Sequence, residues 1–208
     1  MFSLTPAFVD LAVPASSDLL ALAQQGDGDA FCELCRIYET PLLRQATKLC
    51  GDLALAEDLA QDTLFQAWKS IRRFNGRCQF FTWVCAILLN RYRNVVRRDR
   101  PVALSTLSTH GDDGAENILE NLADSGASPD QLTEFSERAE FLRRCLARLP
   151  DKHREVIYLR FYVDQSLDGI AAALDCSVGT VKSRLFHALE KLRMMNGLGA
   201  HVEELKRV

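Results

Sequence analysis

The stretch Ser166 to Arg193, SLDGIAAALDCSVGTVKSRLFHALEKLR, constrains the fold of this chain more than any other. Leu167, Ile170, Ala171 and Leu174 recur at three- and four-residue steps, which is one face of a short helix. Ser166 stands where an N-cap belongs, its hydroxyl able to accept from the first free N–H groups. Small Ala residues at 171 to 173 permit close approach by a second helix, Asp175-Cys176 makes the tight turn, and Ser177 caps the second helix. In that second helix Val178, Val181, Leu185, Leu189 and Leu192 form an apolar stripe, while Thr180, Ser183, Arg184, His187 and Lys191 lie opposite. This is the pattern of a helix-turn-helix. Its outer face suits a major groove, where Arg and Lys read guanine edges and hydroxyls reach bases or phosphates. The alternative, a solvated face of an ordinary bundle, leaves the coincidence of capped turn, small-residue face and basic face unexplained.

The rest of the chain is also helical in pattern, so the expected fold class is all-α: two small helical domains joined by a flexible acidic linker. From Asp18 to about Arg100, Leu19, Leu20, Leu22 and Ala23, then Ala30, Phe31, Leu34 and Ile37, then Leu55, Leu59, Thr63 and Leu64 recur at helical steps. GDGD at 26 to 29 and CGD at 50 to 52 read as helix ends with Asp caps. A second helical segment runs from Leu132 to about Arg193, with breaks at Leu149-Pro150-Asp151, Val163-Asp164-Gln165 and Asp175-Cys176-Ser177. Between them, residues 101–131 are rich in Ser, Gly and Asp and bounded by Pro101 and Pro129, the composition of a tether. Residues 1–17 are assigned to an N-terminal extension and 197–208 to a C-terminal tail. No run of alternating β-branched residues is long enough to propose a sheet.

Net charge is −3, which by itself argues against a nucleic-acid partner. The average hides blocks. Residues 1–68 carry 3 bases against 10 acids and residues 69–100 carry 9 against 1; residues 101–141 carry 1 against 9 and residues 142–208 carry 12 against 8. Each basic block therefore sits beside an acidic one. The longest nearly uncharged apolar stretch, Phe80 to Leu89, is half of the roughly 20 residues a spanning helix needs. The first seventeen residues contain no Lys or Arg and so lack the basic region of a secretory signal, which makes the cytoplasm the expected location.

Enzyme classes find little support. There is no phosphate-cradling Gly loop and no recognisable Ser/His or Cys/His spacing, and no cofactor is implied. Seven cysteines without a secretion signal read as reduced thiols. Cys32 and Cys35 share a helix face but supply only two of the four ligands a zinc site needs, so no metal is expected, and both read as small core residues.

Lys69 to Arg100 interleaves cations with Phe74, Phe80, Phe81, Trp83 and Tyr92. Aromatic faces stack on unpaired bases while cations hold the backbone, a mixture suited to single-stranded or opening DNA. Trp83, Val84, Ile87 and Leu88 lie at helix spacing and fit a core equally well, and Asn75-Gly76 marks a loop. Just upstream, AEDLAQDTLFQAW presents Glu57, Asp58, Gln61 and Asp62 beside Leu59, Leu64 and Trp68, an acidic and apolar face more suited to protein docking than to DNA.

Taken in order, AEDLAQDTLFQAW, FNGRCQFFTW, AILLN and VVRR resemble region 2 of the extracytoplasmic-function (ECF) group of the bacterial sigma-70 family. LPDKHREVIYLRF followed by SLDGIAAALDCSVGTVKSRLFHAL resembles its region 4. The resemblance implies region 2 over residues 18–100 and region 4 over 132–196, with no extra helical domain in the linker. It also implies an alternative sigma factor that binds the clamp and flap of core RNA polymerase and directs initiation at promoter DNA. Carried over by position, Asp58, Gln61, Asp62, Leu64 and Trp68 would meet the polymerase clamp. Phe74, Ile87 and Asn90 would line a pocket for a flipped base of the −10 element, and the loop with Asn75, Gly76, Arg77 and Phe80 would read its neighbours. Arg91, Arg93, Arg97 and Arg98 would hold phosphates. Arg160, Gly179, Thr180, Lys182, Ser183, Arg184, Phe186 and His187 would lie against the −35 duplex. An anti-sigma factor is a further implied partner.

Three positions depart from the family pattern. Gly169 replaces a usual Glu, which removes the capping box from Ser166 and predicts a weaker helix start. Asn94 stands for a frequent Asp and His187 for a frequent Arg. The acidic linker is expected to lie near the basic faces in the free protein. A competing reading is a helix-turn-helix regulator that binds duplex DNA without a sigma role; it leaves the aromatic basic block without a purpose.

Overall fold

A computed structural model of the chain describes residues 15–98, 141–142 and 144–195. Four helices form the first bundle: α1 (Ala15–Gln25), α2 (Gly28–Cys50), α3 (Leu53–Ser70) and α4 (Phe80–Arg98). A single 3-10 turn, Ile71–Arg73, comes after α3. The second bundle contains α5 (Asp151–Phe161), α6 (Leu167–Ala173) and α7 (Val178–Met194), preceded by helical residues at 141–142 and 144–147. All regular structure among the described residues is helical, as the sequence pattern requires. The expectations for the N-terminal extension, the acidic linker and the C-terminal tail lie outside the described residues, apart from positions 15–17 of the extension.

The helix boundaries follow from local chemistry. Asp27 caps α2, its carboxylate accepting from the N–H groups of Asp29 and Ala30 at 2.9 and 3.0 Å, and Gly51 ends that helix in the left-handed region at φ 72°. Asp52 then caps α3 by accepting from Leu55 N at 2.9 Å. In the second bundle Ser166 caps α6 and Ser177 caps α7, accepting from Gly169 N and Thr180 N at 3.0 and 3.1 Å. Gly169 therefore costs the reciprocal half of the capping box, while the hydroxyl half is intact.

Leu34, Leu42, Ile71, Val84 and Leu88 are fully buried in the first bundle, beside the aromatic group of Tyr38, Phe80 and Phe81. Each such aliphatic side chain contributes about 1.5–3 kcal/mol through burial. In the second bundle Cys145, Leu149, Ile157, Ala188, Leu189 and Leu192 make a cluster of their own. Val156, Tyr158, Leu159, Ile170 and Val181, by contrast, belong to one apolar cluster with the core of the first bundle. The two halves are thus docked, with α4 packed against both α5 and α6. Cys85 and Cys145 are buried as small apolar residues, but Cys32 is exposed, which corrects its placement in the core: the α2 face that turns inward is set by Phe31, Leu34 and Tyr38.

Candidate functional site

The first face lies on α3. Ala56, Leu59, Ala60, Thr63 and Ala67 turn inward, which leaves Asp58 and Gln61 exposed and Asp62, Leu64 and Trp68 half-buried. Trp68 rests on Phe31 with ring centroids 5.0 Å apart, so its indole is anchored from one side. Phe65 is 53% exposed between Gln61 and Lys69, and the Lys69 ammonium sits 4.0 Å above its ring. Sequence reasoning passed over Phe65, although its spacing of four from Gln61 and three from Trp68 places it on the same strip. An exposed aromatic on the same helix as exposed Asp58 and Gln61 has the mixed apolar and polar character that protein-docking surfaces use.

The second face comprises the loop 74–79 and α4. Gly76 adopts φ 71°, and Asn75 Oδ1 accepts from Arg77 N at 3.1 Å, so the loop is shaped by its own short-range bonds. Asn75, Gly76 and Arg77 are exposed and Phe80 is half-buried. Phe74 departs from the expected base-lining position: it is only 6% exposed, with Phe80 edge-on at 5.6 Å and Trp83 at 5.3 Å. The 3-10 turn directs it inward and Gln24 Nε2 donates to its carbonyl at 2.7 Å. Its ring supports the loop from below rather than offering an open stacking face. Farther along α4, Ile87 is half-buried and Asn90 is exposed, with Asn90 Oδ1 accepting from Arg93.

The four arginines assigned to phosphates are not equivalent. Arg91 pairs with Asp62 of α3, which joins a residue expected to hold DNA to one expected to meet polymerase. Arg93 pairs with Glu155 at 2.8 Å and Arg97 with Asp151 at 2.8 Å, both carboxylates coming from α5 in the other bundle. Arg98 is exposed at the end of α4. Burial raises the Glu155 carboxyl above its ordinary range, and the Arg93 guanidinium opposes that shift.

The third face is the outer side of α7. Gly179, Lys182, Ser183, Phe186 and His187 are exposed and Thr180 and Arg184 half-buried, with Phe186 58% exposed. Thr180 is fixed by Ser177 through both its N–H and its hydroxyl. Arg184 reaches back toward Cys176 Sγ at 3.9 Å, and Arg160 donates to Gln165 O at 3.1 Å, so Arg160 also closes the turn before α6. His153 on α5 lies alongside His187, ring centroids 6.3 Å apart, and burial together with the charges of Lys191, His187 and Arg184 lowers its pKa. Among the described residues no group of His, Cys, Asp or Glu could hold a metal ion, and no helix is long and apolar enough to cross a membrane.

Comparison with known proteins bears on all three faces. Residues 34–102 match the family model of sigma-70 region 2, and residues 145–194 match that of sigma-70 region 4. The chain is 30% identical over 170 residues to the ECF RNA polymerase sigma factor SigW of Bacillus subtilis (strain 168), an alignment that covers 82% of this chain and 90% of that protein. The chain belongs to the ECF sigma factors. It is an alternative sigma factor acting in transcription initiation. The ECF RNA polymerase sigma-E factor of Escherichia coli (strain K12) is likewise 30% identical over 183 residues, covering 84% of this chain and 90% of that protein. Among solved structures, that of CnrH in complex with the cytosolic domain of CnrY matches with a TM-score of 0.57 at 26% identity, covering 86% of this chain and 94% of CnrH. All three faces lie within the matched spans.

Proposed function

We propose that this ECF sigma factor divides promoter recognition among the three faces. The α3 strip, with Asp58, Gln61, Asp62, Leu64 and Trp68 and with Phe65 added, docks on the clamp of core RNA polymerase. The loop and outer side of α4 take the −10 element. There Asn90 and Ile87 meet an unstacked base, Asn75, Gly76, Arg77 and Phe80 meet its neighbours, and Arg91, Arg93, Arg97 and Arg98 hold phosphates. Unstacking a base costs a few kcal/mol, and an aromatic-floored, amide-lined pocket offsets it. The outer side of α7 enters the −35 major groove, with Lys182, Ser183, Arg184, Phe186 and His187 toward the bases and Arg160, Gly179 and Thr180 toward the backbone.

The carrying observation is the open face of α7, held at its start by the Ser177 cap and tied to the turn through Arg184. This reading places the protein in the cytoplasm as a DNA-binding regulator with no catalytic role of its own. It includes an anti-sigma partner covering regions 2 and 4; CnrH, similar along most of its length, was solved in complex with another protein's cytosolic domain. In vitro transcription with purified core polymerase and a genomic promoter library tests it. Initiation at a subset of promoters sharing −10 and −35 elements is the expected outcome, and no initiation on any promoter refutes it.

A further inference from the structure

Three of the arginines assigned to −10 phosphates already hold carboxylates; Arg91 takes its own from within the first bundle, whereas Arg93 and Arg97 take theirs from the second. Glu155 Oε1 lies 2.8 Å from Arg93 Nη1 and Asp151 Oδ2 lies 2.8 Å from Arg97 Nη2, across sequence separations of 62 and 54 residues. Both carboxylates stand one turn apart on α5, so a single helix delivers them to a pair of arginines also one turn apart on α4. A carboxylate and a phosphate present the same kind of oxygen to a guanidinium, and one guanidinium face cannot hold both. Arg93 is only partly satisfied: Nη1 goes to Glu155, Nη2 to Asn90, and the buried Nε has no partner, a donor that a phosphate oxygen would use.

The docking that brings α5 here is specific. The Tyr158 hydroxyl lies 2.9 Å from both the main-chain O and the side-chain Oε1 of Gln45, and Gln45 Nε2 donates to Tyr162 O at 3.2 Å. Gln45 is fully buried in the first bundle and Tyr158 nearly so in the second, so each satisfies polar groups of the other that would otherwise be stranded. Apolar Val156, Leu159 and Ile170 continue the same cluster across the boundary. The outer face of α7 remains exposed meanwhile.

We propose that the second bundle is a lid on the −10 phosphate site: in the free chain Glu155 and Asp151 occupy Arg93 and Arg97 in place of DNA phosphates, and the Tyr158–Gln45 contact holds the lid shut. The inference rests on the assignment of Arg93 and Arg97 to phosphates. The cover is one-sided, since the −35 face stays open while the −10 arginines are closed.

The test uses the full chain without polymerase and a short fluorescein-labelled single-stranded oligodeoxynucleotide, followed by anisotropy at low salt. Asp151→Asn with Glu155→Gln is expected to tighten binding by roughly a factor of ten. The control Asp29→Asn with Glu39→Gln removes equal charge from exposed positions on α2 and is expected to tighten it far less. Tyr158→Phe, which loosens the lid without changing charge, is expected to tighten binding in the same direction and to raise the radius of gyration in solution scattering. Binding by the Asp151/Glu155 variant no tighter than by the control overturns the lid. The underlying assignment is checked apart from it, in holoenzyme on a forked promoter: there Arg93→Ala with Arg97→Ala is expected to weaken binding. Unchanged holoenzyme binding removes the phosphate role and the lid with it, whereas weakened holoenzyme binding beside a failed oligonucleotide test removes the lid alone.

Discussion

His153 shows how a single side chain can report on the recognition helix. Its imidazole is partly buried and faces Lys191, His187 and Arg184, and both burial and these charges penalise its protonated form. The folded-state pKa is therefore below the ordinary 6.5. Above that value neither state is protonated and nothing is lost; as pH falls below it the unfolded chain takes up the proton first, so stability drops until the lowered folded value is passed. The second bundle is expected to lose stability as pH falls through the ordinary imidazole value of 6.5, and His153→Gln to flatten that slope in denaturant midpoints measured on either side of it. Arg184→Ala is expected to cost about 1–3 kcal/mol at one −35 position. Asn90→Ala should instead damage −10 recognition. Uniform loss at every promoter position for both variants, read by binding to a mutated promoter series, would mean that the two residues do not read sequence.

At the scale of the helix, the capped ends were readable and the pairings were not. Asp27, Asp52, Ser166 and Ser177 act on N–H groups two or three residues away, so the bond that makes each a cap is contained in a four-residue window of sequence. The helix-turn-helix followed from the same local signals and so did its exposed face. Asp151 and Glu155 have no such signature in LPDKHREVIYLRF: one stands in the first turn of α5 and the other one turn later, and their partners lie more than fifty residues back on α4. Phe74 misled for a related reason, since the tie from Gln24 that seats its backbone crosses 50 residues. Ser177→Ala is expected to cost about 1 kcal/mol in the second bundle. It should also lower −35 affinity by releasing Thr180, whose hydroxyl lies 2.9 Å from Ser177 Oγ. Thermal unfolding and duplex binding of the same variant measure the two effects.

For the molecule as a whole, the docked arrangement makes its two halves energetically dependent. Tyr158→Phe removes the hydroxyl whose one proton is shared between two Gln45 oxygens and leaves a buried acceptor without it, a loss of about 1–3 kcal/mol at the contact. Bundles that melt together in the natural chain are expected to separate into two transitions in this variant. The aromatic content provides the means of seeing it. Both tryptophans of the chain, Trp68 and Trp83, stand in the first bundle, one against Phe31 and the other within the Phe74–Phe80 group. Indole emission thus reports the first bundle alone while far-ultraviolet dichroism sums over both, so the gap between the two signals is a direct optical measure of how firmly one half of the protein leans on the other.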